Sequence, residues 1–409
     1  MEVDADQTMK ILVLNCGSSS IKSDLYDFSS VPENVVAPLW HAHLKWKNSF
    51  ENPTLTIQTE KKSVEEKLST KDVEEGLHQL LDTLYKGPSA VINSLKEIDV
   101  VGHRIVHGGK TFQESVQISS DVKKKIAQLD ELAPLHNRAE LTGIECIEKL
   151  LGNVRQIAVF DTAFHKTIPL PAKLYPGPYH WYEEGIQKFG FHGISYQYCS
   201  KRASQLLNKK NLKTVICHLG SGASLCAIQN GQSVDTTMGF TPLDGLMMDT
   251  RSGSVDPGIL LYLLEKKKKS PSEISDTLYH KSGLLGISEL SSDMQEIIEQ
   301  SEKDHKKAQL ALDLYLHRLK NLIGSMTASL NGIDLLVFTA GIGENSPLIR
   351  ERTCKELSFL GLQLDYEKNN QSSKEDRLLS TPTSKAQVLL IHTQEAFEIA
   401  CECFKLANH

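Results

Sequence analysis

Nowhere in its 409 residues does this chain hold an apolar stretch approaching the roughly 18–20 residues that cross a bilayer. A membrane-spanning helix is therefore not expected. A basic excess is also missing: 45 Lys and Arg stand against 51 Asp and Glu, for a net charge of −6. That balance argues against a general nucleic-acid surface, which needs a cationic face. The eight cysteines (Cys16, Cys146, Cys199, Cys217, Cys226, Cys354, Cys401 and Cys403) include no CxxC pair, and several sit inside apolar runs. Buried free thiols in a reducing cytosol are expected, rather than disulfides or a metal cluster. The first residues, Met-Glu-Val-Asp-Ala-Asp, are acidic and polar, which predicts a short extension before Met9 and no signal peptide. The two commonest nucleotide fingerprints fail as well. Gly109-Lys110-Thr111 ends like a P-loop, but the required earlier glycine falls on Arg104. Gly341-Ile-Gly343 would need glycine at 346 to bind a dinucleotide, and Ser346 stands there.

What the chain does have is a recurring junction. Three apolar, β-branched runs stop abruptly at Gly/Ser turns: Ile11–Leu14 at Asn15-Cys-Gly-Ser-Ser-Ser20, Val215–Cys217 at His218-Leu-Gly-Ser-Gly-Ala-Ser224, and Leu335–Ala340 at Gly341-Ile-Gly-Glu-Asn-Ser346. Backbone N–H groups that must approach a phosphate closely need this absence of side chains, and Ser hydroxyls add donors. The first two junctions align at Gly17 and Gly220, about 200 residues apart, which suggests an internal duplication. A duplicated phosphate-gripping hairpin points to a two-lobed phosphotransferase.

The chain is too long for one ordinary core, and 40% hydrophobic with 23% charged residues describes a soluble globular protein. A first lobe is expected over residues 1–162 and a second, nucleotide-binding lobe over 163–393, with the prolines at 169, 171, 176 and 178 marking the boundary. Strand Ile157–Phe160 ends the first lobe at Asp161. Helical spacing at 72–84, 197–207, 256–265 and 306–331 gives the alternation of an α/β protein. An amphipathic helix over 394–409 is expected to fold back onto the first lobe. Lys266–Lys269 reads as a solvated loop after a helix.

Several turns carry chemistry. Gly102-His-Arg-Ile-Val-His-Gly-Gly109 reads as a glycine-bracketed turn presenting Arg104, whose guanidinium offers paired donors to a carboxylate or phosphate. Met248-Asp-Thr-Arg-Ser-Gly-Ser254 carries a second such arginine, Arg251. Asp161 at a strand end is either a catalytic or metal-linked acid or a turn residue. Lys188-Phe-Gly-Phe-His-Gly193 holds His192 between glycines, where its ring can meet a substrate.

In combination these segments resemble the acetokinase family, within the acetate and sugar kinase/Hsp70/actin superfamily. The resemblance runs from Met9 to about Lys405 and rests on Asn15–Lys22, Gly102–Gly109, Ala133-Pro-Leu-His-Asn137, Val159–His165, Phe189–Gly193, Met238-Gly-Phe-Thr-Pro-Leu243 and Phe338–Ser346. It implies a two-lobed, duplicated ribonuclease H-like (actin-like ATPase) α/β fold with the nucleotide in the interlobe cleft. It also implies reversible phosphorylation of acetate by ATP, with Mg²⁺ or Mn²⁺, in a cytoplasmic homodimer that needs no nucleic acid or membrane. By the same resemblance, Asn15 and Glu395 organise the metal. Lys22 and the loop His218, Leu219, Gly220, Ser221 and Gly222 meet nucleotide phosphates. Asp293, Met294, Gln295, Gly341, Ile342, Gly343, Glu344 and Asn345 form the adenosine site. Arg104 and Arg251 clamp carboxylate and phosphoryl, Asp161 is the catalytic acid position, and His192 stabilises the transition state. Val106, Leu135, Phe191 and Pro242 form the methyl pocket. The chain departs from the family pattern at Ser221 (usually Asn), Gln295 (commonly Arg), Asp249 (usually Gly), Gln394 and Ala396 around Glu395, Tyr196 (a histidine) and Arg138-Ala139 (a Pro pair). None removes a residue assigned to the chemistry, so they bear on nucleotide preference and rate. A propionate or butyrate kinase, or a non-catalytic actin/Hsp70-like nucleotide binder, is the alternative.

Overall fold

A computed structural model describes residues 8–17, 20–46, 52–70, 72–129 and 137–408. The chain divides into two compact units. One runs to Ala163 and takes in the segment from Gln394 onward; the other is Phe164–Thr393. Among the described residues no helix is long and apolar enough to cross a membrane.

The first unit is built on the strands β1 (Met9–Cys16), β2 (Ser20–Phe28), β3 (Trp40–Lys45), β4 (Thr54–Thr59), β5 (Ser63–Lys67), β6 (Val100–Ile105), β7 (Val116–Gln117) and β8 (Arg155–Phe160). They form one sheet in the order β5-β4-β3-β2-β1-β6-β8-β7. β1 to β5 are an antiparallel meander, and β6 and β8 run parallel to β1. Ile11, Leu12, Val13 and Leu14 are all buried, as a strand covered on both faces requires. The helix Asn137–Leu151 packs on β1, with Gly143 against Cys16. The helix Glu395–Ala407 packs on β1 and β6, with Ile399 and Cys403 against Gly102.

That last contact corrects the reading of Gly102–Gly109 as one turn. Gly102, His103, Arg104 and Ile105 belong to β6, paired in register with β8 from Val100↔Arg155 to Ile105↔Phe160. Only Val106–Gly109 lie beyond the strand. Gly102 is there for packing: a Cβ would come within 2.5 Å of Cys403 Sγ.

The second unit repeats the plan with β9 (Lys213–Leu219), β10 (Ala223–Gln229), β11 (Gln232–Thr236), β12 (Leu335–Thr339), β13 (Arg377–Leu378) and β14 (Gln387–Leu390). Their order is β11-β10-β9-β12-β14-β13. β9 and β10 are antiparallel, while β12 and β14 run parallel to β9. A hairpin, a third antiparallel strand and two parallel strands beside the first thus occur in each unit. The tight loops are closed alike, by Gly17 N–H donating to Ser20 O (2.9 Å) and Gly220 N–H to Gly222 O (3.2 Å). The third junction differs from expectation. Instead of a turn, Ala340–Asn345 forms a short helix, entered through Ala340 at φ +64°. Glu344 Oε1 fixes that corner by accepting from Ala340 N–H (2.8 Å) and Thr393 N–H (3.0 Å). All eight cysteines are free and buried.

Candidate active site

In the first unit the polar residues converge on Arg104. Its β8 neighbour across the register is Val159, so Asp161, two residues further on, projects from the same face. Arg104 Nη2 donates to Asp161 Oδ2 at 2.5 Å and Nε to Oδ1 at 3.3 Å, a forked pair. Arg104 Nη1 donates to Asn15 Oδ1 at 3.2 Å. The Asp161 side chain is 1% exposed and that of Arg104 18%, so the carboxylate sits beneath and the guanidinium reaches outward. Burial opposes the charge on Arg104, but Asp161, Glu395 and Glu140 together hold its pKa above normal. Lys22 lies opposite Asn15 on β2. Val106 follows β6 and is buried; its N–H donates to Glu140 Oε1 (3.1 Å) and Oε2 (3.2 Å). Leu135 lies outside the described residues, as do Ser18 and Ser19 of the first loop.

The oxygen donors around Arg104 bear on the expected metal. Asn15 Oδ1 and the carboxylate of Glu395 are hard ligands, suited to a cation such as Mg²⁺ that keeps several waters. Among the described residues no group of three His, Cys, Asp or Glu could hold a metal on its own. A site of one or two protein oxygens fits this arrangement, and a closed cage does not.

In the second unit, His192 takes φ 57° as it enters the helix Gly193–Leu207. Its Nδ1 meets Ser224 Oγ at 2.8 Å, and Tyr196 OH meets the same hydroxyl at 2.5 Å. The ring stacks on His218 with centroids 4.1 Å apart. His218 Nδ1 in turn meets Ser195 Oγ at 2.9 Å. A Cβ on Gly222 would stand 3.3 Å from His192 Nε2 and 3.8 Å from Arg251 Nη1, so at this position glycine keeps the loop from crowding either group. Arg251 Nη1 donates to Pro242 O at 3.0 Å, and burial lowers the Arg251 pKa. Phe191 is buried, with its carbonyl accepting from His165 Nε2 at 2.9 Å.

Beside this cluster lies a cavity of about 630 Å³. Gly220, Ser221, Asp293, Met294, Gln295, Gly341, Ile342 and Asn345 line it, which gathers three separate expected segments into one place. His218 and Gly222 belong instead with His192 and Arg251. Leu219 is buried within β9, Gly343 O accepts from Arg350 Nη1 (2.8 Å), and Glu344 holds its corner as described. Lys22 lies in the other unit. The Asp293 carboxylate caps the helix Met294–Ser301 by accepting from Gln295 and Glu296 N–H.

Sequence reasoning missed several lining residues: Ser292, Ile298, Glu299, Ser346, Pro347 and Leu348. The two departures Ser221 and Asp249 prove to be neighbours. Burial raises the Asp249 pKa, and a hydrogen bond with the Ser221 side chain partly offsets that. Glu140 was missed entirely, since one acid on an amphipathic helix gives no signal.

The acetokinase family profile matches residues 10–401. The acetate kinase of Rippkaea orientalis is 51% identical over 98% of this chain and 100% of its own length. That of Microcystis aeruginosa is also 51% identical, with 98% and 100% covered. The crystal structure of Porphyromonas gingivalis acetate kinase matches with a TM-score of 0.88 at 37% identity, over 98% of this chain and 100% of that one. A propionate kinase from Francisella tularensis subsp. tularensis has a TM-score of 0.88 at 35% identity, over 97% and 99%. The fold is therefore the duplicated, actin-like ATPase fold, and the chain belongs to the acetokinase family.

Proposed function

We propose that this protein catalyses reversible, ATP-dependent phosphorylation of acetate to acetyl phosphate by direct in-line transfer. The observation that carries this reading is the presence of one guanidinium cluster in each unit: Arg104 with Asp161 and Asn15, and Arg251 with His192. A nucleotide switch that makes no acyl phosphate has no use for such a pair. Acetate is ionised at neutral pH, so the protein needs to supply position and positive charge rather than a strong base. Arg104, steadied by Asp161, takes the carboxylate. Arg251 and the His192 ring, held by Ser224, stabilise charge on the transferring phosphoryl group. Val106 and Leu135 in the first unit's sequence, and Phe191 and Pro242 in the second's, are the residues we assign to the methyl group; Val106 and Phe191 are buried. Asn15 and Glu395 would hold a divalent cation, Mg²⁺ or Mn²⁺, whose bound charge offsets that of the phosphates.

The second unit is the nucleotide-binding lobe in this reading. Its cavity offers apolar walls at Ile298, Ile342 and Leu348 for a purine and polar groups for a ribose. Phosphates run toward the Gly220–Gly222 loop; Lys22, in the first unit, is assigned a phosphate contact by the family resemblance alone. Free, buried thiols support a reducing, cytoplasmic setting. The helix Pro257–Glu265 supports a homodimer: it has no buried residue, and Ile259, Leu261 and Tyr262 are about half exposed.

Hydroxylamine trapping of acyl phosphate with acetate, ATP and Mg²⁺ tests the reaction. Acetate-dependent hydroxamate is expected, and its absence in folded protein would sink the proposal. Propionate is the second reading, favoured by the likeness to the propionate kinase. Comparing kcat/KM for the two acids decides between them; acetate is expected to lead by roughly 10- to 200-fold, the discrimination available per methylene.

A further inference from the structure

Val106 stands where β6 ends, and its N–H has left the strand ladder. Such a buried donor must find another acceptor or cost stability. It finds one on the helix Asn137–Leu151, where both Glu140 carboxyl oxygens lie within 3.1–3.2 Å of it. Glu140 is only 4% exposed. A buried acid is an expensive means of accepting one amide hydrogen, and Asp161 already neutralises Arg104. The choice makes sense if the carboxyl serves as a fixed acceptor rather than as a charge. Burial outweighs the attraction of Arg104 and the Val106 hydrogen bond, pushing the Glu140 pKa up to about 8. A second ionised carboxylate beside Arg104 would compete with an anionic substrate for the guanidinium; a protonated one does not.

We propose that Glu140 is a positioning residue for the acyl end of the site, fixing the Val106 main chain and thereby the fit between pocket and acid, without touching substrate. The proposal rests on the assignment of Val106 to the methyl pocket. Truncation at Glu140 should free the Val106 amide, loosen the pocket wall and blunt the choice between acetate and propionate. A carboxamide retains the acceptor and should retain the choice.

The test compares wild type, Glu140→Ala and Glu140→Gln in two measurements. The first is the ratio of kcat/KM for acetate to that for propionate, which does not depend on how much of each preparation is folded. The second is hydrogen–deuterium exchange of the segment 105–109. In Glu140→Ala the ratio should fall at least fivefold, acetate KM should rise about tenfold, and exchange should accelerate. ATP KM should hold within twofold, and Glu140→Gln should restore both readouts. An active Glu140→Ala enzyme with the wild-type ratio overturns the role of Glu140 alone, whatever its melting temperature. Unchanged exchange at 105–109 overturns the anchoring. A wild-type protein that forms acyl phosphate from neither acid overturns the functional reading and, with it, the pocket this residue would serve.

Discussion

On the proposed reading, removing the Arg104 side chain takes away two things at once, a contact to substrate and the counter-charge of Asp161. Asp161 is fully buried, and stranding a buried carboxylate costs about 3–5 kcal/mol. Losing a charged transition-state contact costs about 3–4 kcal/mol, or 10²–10³ in rate. Arg104→Ala should therefore lose both turnover and stability. Arg104→Ala/Asp161→Asn should recover most of the denaturation midpoint while kcat stays low; recovery of kcat would remove Arg104 from the chemistry. Glu140 gives a prediction of opposite kind. Its carboxyl is raised from 4.5 to about 8, with Arg104, Asp161 and Cys16 as the titratable groups around it. Between those values the folded state holds a proton that the unfolded state has released, so stability falls as pH rises through this window and levels off above it. Glu140→Gln lacks that loss. The urea midpoint of wild type relative to Glu140→Gln should drop steadily from about pH 5 to about pH 8, and a constant difference would refute the shift. Arg251, Asp161 and His192 stood out because glycines or a strand end bracket them, and Arg104 stood out although the turn expected around it is a strand. Glu140 did not, because its partner is a backbone amide that no side-chain pattern announces.

At the scale of elements, apolar runs disclosed most of the strands, and both glycine loops were found at the hairpin turns. The polar stretch Gly102-His-Arg misled, because these residues are held in β6 by pairing with its neighbours and by the flanking Val100, Val101 and Ile105 rather than by their own propensity. His103 is buried there with Nε2 on Gln156 Oε1 at 2.7 Å, a partner distant in sequence. The short helix after β12 was hidden for a similar reason. Arg350, 1% exposed, grips it by donating to Gly343 O, Glu344 O and Asn369, and such long-range ties leave no local signature. Gly102 itself is open to test. A methyl there meets Cys403 Sγ at 2.5 Å and Ile399 Cγ2 at 2.8 Å on the C-terminal helix. Gly102→Ala should cost about 1–3 kcal/mol by overpacking, and Cys403→Ala in the same chain should relieve part of that. Additive losses in the double variant, measured by chemical denaturation, would show that the helix does not press on β6 there.

For the molecule as a whole, the repeated strand order provides two similar platforms, and each carries its own arginine cluster. Arg104, Asp161 and Asn15 meet within one unit, and His192, Gly222 and Arg251 within the other. The helix Pro257–Glu265 carries none of these residues, so changing its outer face should leave them in place. The apolar face of the helix Pro257–Glu265 has Ile259 49% and Leu261 57% exposed, and a monomer gains nothing from leaving them in water. A stable interface takes about 800 Å² from each partner, more than this helix alone supplies, so Val255 just before it is expected to join in. Wild type should elute at twice the 45.5 kDa chain mass in light-scattering chromatography. Ile259→Asp/Leu261→Asp should elute at the mass of one chain, since two buried carboxylates with no partner oppose docking by several kcal/mol. Its circular dichroism should match wild type because neither side chain is buried within the chain. Turnover should persist within about threefold, since neither substituted side chain belongs to the proposed site. A dimeric double variant would exclude this helix from the interface, and a monomeric wild type would exclude the dimer.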